Sequence, residues 1–430
     1  MAETENKIPV RAPRWFKLDN AGKIFPGQNT NKWSNIFRIS VVLKEKVEPE
    51  LLERALNETL PRFPCFNVRL RRGFFWYYLE HNPESAQVQP DIKNPCHRVR
   101  FHENNRFLFR VYYYEKRISL ELFHALADAY GAMVLLNTVT AQYLRLKGAD
   151  IPPGLSVLDI NEQATPTELE DAFSRYATSK VKAKRSGDFV YHAMGERLPA
   201  HTMNIVTGYM PLDALLEKAH EKKVTVTELL AAVLMDVHYR KQKEEKRVQK
   251  LVSVQVPVNL RRSFPSDTLR NFSLCYNVKL NPNLGDYTFD EILRQVSLYL
   301  RYVNNPKELN SMMTTNMGLE RNPIMRIMPL FIKKAGIGIS FMLTGEKTIS
   351  AMISNLGKIS LPAEMEPYID RYILMTGPGK LNGARLAAVS FGNTFAVTFA
   401  NIYKESDIER GFFTSLVKMG IPVKIESNRE

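Results

Sequence analysis

Between residues 117 and 147 the period of the apolar residues changes from two to about 3.6, and this switch constrains the fold more than any other feature of the chain. Ile118, Leu120 and Leu122 alternate with Ser119 and Glu121, which predicts a strand. After Ala129, the spacing of Met133, Leu136, Val139 and Tyr143 predicts an amphipathic helix. His124 and Asp128 therefore fall in the turn where strand becomes helix, at or just before the helix N-terminus. An imidazole there can act as a general base, because its ordinary pKa of about 6.5 lies near working pH. The free N–H groups of a helix start favour negative charge nearby. Asp128 is well placed to cap that helix. A histidine at a strand end is often merely structural, so this spacing alone does not make a site.

At 430 residues the chain exceeds one ordinary core, and two domains are expected. Before the switch, residues 36–43 read as a strand and Pro49 opens a helix with Leu52, Ala55 and Leu56 on one side. Residues 66–80 read as a hairpin turning at Arg72-Gly73, and 107–115 pair with the strand leading into His124. Residues 1–32 look irregular, with Trp15, Phe16, Leu18, Ile24 and Phe25 supplying apolar surface that docks elsewhere. Pro152, Pro153, Gly154 and Pro166, then a basic run, mark a crossover with a short helix at 167–178. The expected division is an N-terminal subdomain over 1–165, a linker over 166–200 and a C-terminal subdomain over 201–430.

In the second half the clearest helix starts at Thr225, which forms a capping box with Glu228. A strand at 251–258 and a loop lead to a strand at 272–280. There Phe272, Leu274, Tyr276 and Val278 face one way, and Ser273, Cys275, Asn277 and Lys279 the other. The polar side is either the wet face of an edge strand or the lining of a polar channel. Residues 288–345 read as mostly helical and Met-rich, interrupted by Pro323 and Pro329, and suit adaptable core packing rather than a lipid-binding surface. Residues 385–403 form a hairpin turning at Gly392-Asn393, and a helix and a short strand close the chain.

Composition narrows the function classes. With 44% apolar and 24% charged residues the chain is globular rather than disordered. Its three cysteines, Cys65, Cys96 and Cys275, are far apart, so neither a disulfide framework nor a zinc or other metal site is suggested. The N-terminus lacks the apolar core of a secretory signal, and the run at 335–345 is too short to cross a membrane. A soluble, cytoplasmic protein without an integral membrane segment is expected. The net charge of +14 is dispersed, and its densest runs, 179–185 and 240–250, read as solvated surface. No zinc finger, RNP motif or base-reading helix is present, so nucleic acid is not an expected partner. A phosphate-bearing cofactor is the next reading of the charge.

A strand-end H-x-x-x-D in a chain of two α+β halves with a Pro-rich crossover resembles the CoA-dependent acyltransferase superfamily. That group includes chloramphenicol acetyltransferase, the plant BAHD acyltransferases and the condensation domains of nonribosomal peptide synthetases. Within it the chain is most similar to the bacterial alcohol acetyltransferase-type branch. The matching stretches are 15–26, 123–136, 256–273, and the tail from 354–357 to 420–427. Two positions depart from the family pattern. Ala129 stands where Gly usually follows the Asp, and Phe123 where many relatives carry a second His.

The resemblance implies an α+β fold of two chloramphenicol-acetyltransferase-like subdomains, each a mixed sheet flanked by helices, with a tunnel between them. It implies His124 as general base for transfer of an acyl group from a CoA thioester to a small alcohol or amine, without a covalent intermediate. It gives Asp128 a structural role beside an arginine; Arg261, Arg262 and Arg270 are the candidates, and Arg262 is taken as the site residue. Ser273, Asn277 and Gly131 are the expected tunnel residues. Acyl-CoA enters as co-substrate, with no permanently bound cofactor. The competing expectations are a condensation-type enzyme fed by an acyl-carrier protein, and a catalytically silent relative that only binds.

Overall fold

A computed structural model describes residues 14–29, 34–183, 187–245, 248–336, 345–377, 379, 381 and 383–429. The alternation at 117–123 builds the middle of a five-stranded sheet. Its order is β12 (Ile369–Thr376), β2 (Ile36–Leu43), β7 (Arg117–Phe123), β6 (Phe109–Tyr114) and β5 (Val88–Pro90). Ile118, Leu120 and Leu122 are buried as the alternation requires. So are Ser119 and Glu121, because both faces of this sheet are covered. Their polarity is met inside: Ser119 hydrogen-bonds Ser40 at 2.9 Å, and Glu121 accepts from Arg38 at 2.9 Å and Arg110 at 3.3 Å. The expected hairpin at 66–80 is β3 (Val68–Arg72) with β4 (Tyr77–His81), which β1 (Trp15–Lys17) extends to a three-stranded sheet.

The helix Ala129–Leu146 begins where predicted but is not amphipathic. Nearly all of it is buried, including Asn137, Thr138 and Thr140, as befits a central helix packed on all sides. Its polar groups are satisfied internally. Thr138 and Thr140 donate to the carbonyls of Val134 and Leu136, and Asn137 donates to Ser156 at 2.8 Å. The expected helix at 167–178 divides into Pro166–Leu169 and Ala172–Tyr176, and a Thr165/Glu168 capping box starts the first piece.

The second large sheet has seven strands. They run β10 (Ser273–Leu280), β9 (Val252–Asn259), β11 (Ala351–Lys358), β13 (Ala384–Phe391), β14 (Thr394–Asn401), β8 (Asn204–Pro211) and β15 (Lys424–Ser427). Thr225 and Glu228 cap the buried helix Val226–Glu244 reciprocally, and its Leu229, Leu230, Val233 and Leu234 lie in the core of this half. In β11, Asn355 accepts from Gly357 N at 3.0 Å, and Gly357 takes a φ of +85°, a left-handed conformation that suits glycine. The expected mixed sheets flanked by helices are therefore present.

One strand departs from the expected division of the chain. β12 lies within 201–430, yet it pairs antiparallel with β2 in the first sheet, with Leu374 opposite Ile39 and Tyr372 opposite Val41. Ile369, Tyr372, Leu374 and Met375 are part of the first hydrophobic core. Tyr372 also donates to Asn137 of the central helix at 2.7 Å.

The Met-rich stretch splits in character. In the helix Pro306–Arg321, Met313 and Met317 pack into the second core as expected. Ile324, Ile327, Phe331 and Ile332, just beyond it, are exposed, contrary to that expectation. Most of the run at 335–345 and parts of the two basic runs lie outside the described residues. Among the described residues, no helix is long and apolar enough to cross a membrane.

Candidate active site

β7 ends at Phe123, and the chain turns at once. His124 N donates to Asn35 O at 3.0 Å and Leu126 N to Phe123 O at 2.9 Å. Asp128 is the N-cap of the central helix and accepts from Gly131 N at 3.3 Å. Ala129 is the first helical residue and is not among the residues with positive φ, so an alanine fits here without strain. The half-buried His124 ring stacks on Phe25 at 4.7 Å and meets the edge of Phe37 at 5.1 Å.

The remaining contact of the ring defines its chemistry. Nδ1 lies 3.0 Å from Asn271 Oδ1. The orientation of that amide is fixed from its other end, because Asn271 Nδ2 donates to His124 O at 3.0 Å and to Asp19 Oδ2 at 3.1 Å. The backbone carbonyl of His124 can only accept, so the amide nitrogen must face it and the amide oxygen must face the ring. Nδ1 therefore carries the proton, and the lone pair of neutral His124 sits on Nε2. Burial lowers the His124 pKa below its ordinary value, opposed by the nearby Asp128 charge and by hydrogen bonds including that to Asn271. The neutral, proton-accepting form is the one favoured at neutrality.

Asp19, completely buried, anchors the amide. It accepts from Gly22 N at 2.6 Å, and Arg270 Nε lies 3.7 Å away. Burial raises its pKa, and the Arg270 charge opposes that shift. Neither Asp19 nor Asn271 was singled out from the sequence. Both lie in stretches that carry the family resemblance, 15–26 and 256–273, but neither side chain was given a role there. Asn271 has the same parity as Ser273 and Asn277, so extending the period-two reading one step back would have found it.

Three arginines sort themselves around this site. Arg261, not Arg262, pairs with Asp128: its guanidinium donates to Oδ2 at 2.8 Å, and both side chains are over nine-tenths buried. Arg261 also donates to the carbonyls of Thr268 and Arg270, both at 2.7 Å, and lies over the Tyr130 ring at 4.5 Å. Phe272 N takes the same Asp128 oxygen at 2.9 Å. Arg262 is exposed, with its guanidinium near Gly357, and one residue of offset in the loop places it outside this network. Arg270 is buried against Asp19 and the carbonyl of Lys17.

Gly131 is a packing position rather than a surface for substrate. A Cβ there would stand 1.9 Å from Leu269 O, so the backbones of the two halves touch. Ser273 and Asn277 are half-buried on β10, where Asn277 accepts from Gln255 at 3.2 Å. It is Asn271, ahead of that strand, that reaches the imidazole.

Nearby lies a cavity of about 1190 Å³, lined by Lys17, Lys23, Trp76, Tyr77, Tyr78 and Arg326 among others. His124 does not line it. The segment Leu18–Phe25 serves both places, since Leu18 and Lys23 face the cavity while Asp19 and Phe25 contact the His124 network.

No family model matches this sequence and no curated protein matches it, but solved structures do. The trichothecene 15-O-acetyltransferase from Fusarium sporotrichioides matches at a TM-score of 0.60 and 10% identity, over 97% of this chain and 99% of that one. A second protein of F. sporotrichioides, solved with coenzyme A and T-2, matches at 0.61 and 11%, over 97% and 100%. The starter condensation domain of rhizomide synthetase, in complex with C8-CoA and Leu-SNAC, matches at 0.57 and 13%, over 95% of each chain. The chain thus has the two-lobed fold of the CoA-dependent acyltransferases and condensation domains. At these identities the likeness speaks for the fold alone.

Proposed function

We propose that this protein is an acyltransferase that moves an acyl group from a CoA thioester to the hydroxyl or amine of a small acceptor, with His124 as general base. The observation that carries this reading is the Asn271 amide, held so that His124 presents an unprotonated Nε2. Nε2 takes the acceptor proton as the acceptor oxygen or nitrogen attacks the thioester carbonyl. When the tetrahedral intermediate collapses, the C–S bond breaks, and the imidazolium returns that proton to the departing thiolate. A positioned base of this kind contributes about 10²–10⁴-fold, and alignment of the two substrates supplies much of the rest. Asp128 and Arg261 hold the loop, and are positioning residues rather than catalytic ones. In this reading the halves 1–165 and 201–430 flank the passage by which both substrates reach His124. Alcohol acetyltransferase chemistry in the cytoplasm is its narrowest form.

The test is a mass-spectrometric screen of purified protein with a panel of acyl-CoAs and mixed alcohols and amines, repeated with His124→Ala. Acyl transfer that disappears in a folded variant is the expected result. Undiminished transfer by the folded variant removes the assignment. The basic surface also suits an acyl-carrier protein as donor, and parallel assays with carrier-bound thioesters separate the two donors.

A further inference from the structure

Two stretches far apart in sequence, 69–78 and 321–336, meet on the surface. Leu330 N donates to Phe74 O at 2.9 Å and Lys333 Nζ to Phe75 O at 3.0 Å. The junction is tight: Lys333 is buried, with its ammonium 3.6 Å above the Trp76 ring. Around it six large apolar side chains remain in solvent. Phe74, Ile327, Ile324 and Phe331 are 70%, 71%, 66% and 63% exposed, and Ile332 and Phe75 are 46% and 42% exposed. Scattered single apolar residues are ordinary on a protein surface, whereas this concentration on two touching segments is not.

The charge of the same two stretches is one-sided. Together they carry seven Lys and Arg residues and no Asp or Glu. The nearest acids in sequence, Glu80 and Glu320, are already engaged, Glu80 with Arg69 and Arg71 and Glu320 with Lys23. Arg71, Arg72, Arg326 and Lys334 are exposed.

We propose that this surface docks the protein on an anionic lipid bilayer. Exposed aromatic and branched side chains on the same two stretches as exposed cations suit the boundary between headgroups and acyl chains: the apolar groups enter the boundary while the cations meet lipid phosphates. A second copy of the chain is the poorer occupant, because face-to-face pairing would bring two like-charged surfaces together. Docking is independent of the transferase reading, since it needs neither His124 nor a substrate.

The experiment is co-sedimentation of the full chain with phosphatidylcholine vesicles, with and without about 30% phosphatidylglycerol. The expected result is binding to the anionic vesicles, weakened by added salt, and at least about tenfold weaker on phosphatidylcholine alone. The double variant Phe74→Ser/Ile327→Ser should bind about tenfold more weakly while keeping the circular dichroism and Tm of the parent. Both substituted side chains are exposed and lie outside the His124 network. Absence of anionic-vesicle binding, or binding unchanged in the double variant, overturns the proposal. So does a concentration-dependent dimer, seen by sedimentation velocity, that the double variant abolishes in place of vesicle binding.

Discussion

Asn271 holds His124 at two points, its Oδ1 lying 3.0 Å from the ring Nδ1 and its Nδ2 3.0 Å from the backbone carbonyl of the same residue. One side chain from the second half thereby fixes the tautomer, the ring orientation and the turn that bears the ring. Asp19, from a third part of the chain, keeps the amide from flipping.

If that contact sets the tautomer, Asn271→Ala should lower kcat by about 10–100-fold, the equivalent of roughly 1–3 kcal/mol for a lost buried hydrogen bond. KM for acyl-CoA should change little. Nitrogen NMR of the labelled imidazole supplies the readout that a merely structural role would not move. The parent should show the proton on Nδ1, and the variant a mixture of both tautomers.

The two neighbouring arginines should behave very differently. Arg261→Ala leaves Asp128 buried without its counter-charge and should cost about 3–5 kcal/mol in urea unfolding. Arg262→Ala removes an exposed side chain and should stay within about 0.5 kcal/mol of the parent. Equal losses in the two variants would contradict the assignment of Arg261 as the partner.

Gly131→Ala adds one methyl group where Leu269 O leaves no room. Both partners are backbone, so the strain can be relieved only by separating the helix start from the 269–272 segment, at a cost of about 1–3 kcal/mol or more. The Tm should fall, and kcat with it, because the same segment carries Asn271.

The pH dependence follows from the lowered His124 pKa. If His124 is the general base proposed above, neutral imidazole is the active form and the acid limb of kcat/KM should lie below the ordinary value of about 6.5. Stability has the same sign. The unfolded chain protonates first, so folding free energy falls as pH drops from about 6.5 toward the folded pKa. A His124→Asn variant should show a shallower slope in denaturation curves across this range, the remainder coming from His97 and His238, whose pKa values burial also lowers.

What the sequence revealed was local. The strand, turn and helix at 117–147, the Thr225/Glu228 cap and the hairpin at Gly392-Asn393 each depend on neighbours within a few positions, and each appears in the structure. The site is not local. Asp19, His124 and Asn271 are more than 100 residues apart in sequence, and no periodicity links them. Arg261 and Arg262 have the same chemistry one position apart, and only the course of the loop distinguishes them. The central helix was misread as amphipathic because its apolar stripe is genuine, while Asn137, Thr138 and Thr140 are polar residues satisfied within the core.

Strand β12 bears on how the chain is made. The sheet begun by β2 receives its last strand from residues 369–376, so a nascent chain leaves the ribosome for most of its length with the β2 edge unpaired. A fragment ending near 200 would display that bare edge and lose the apolar cover of Ile369, Tyr372 and Leu374. Completion of the first half thus waits on translation of the second, and the two halves are unsuited to separate expression.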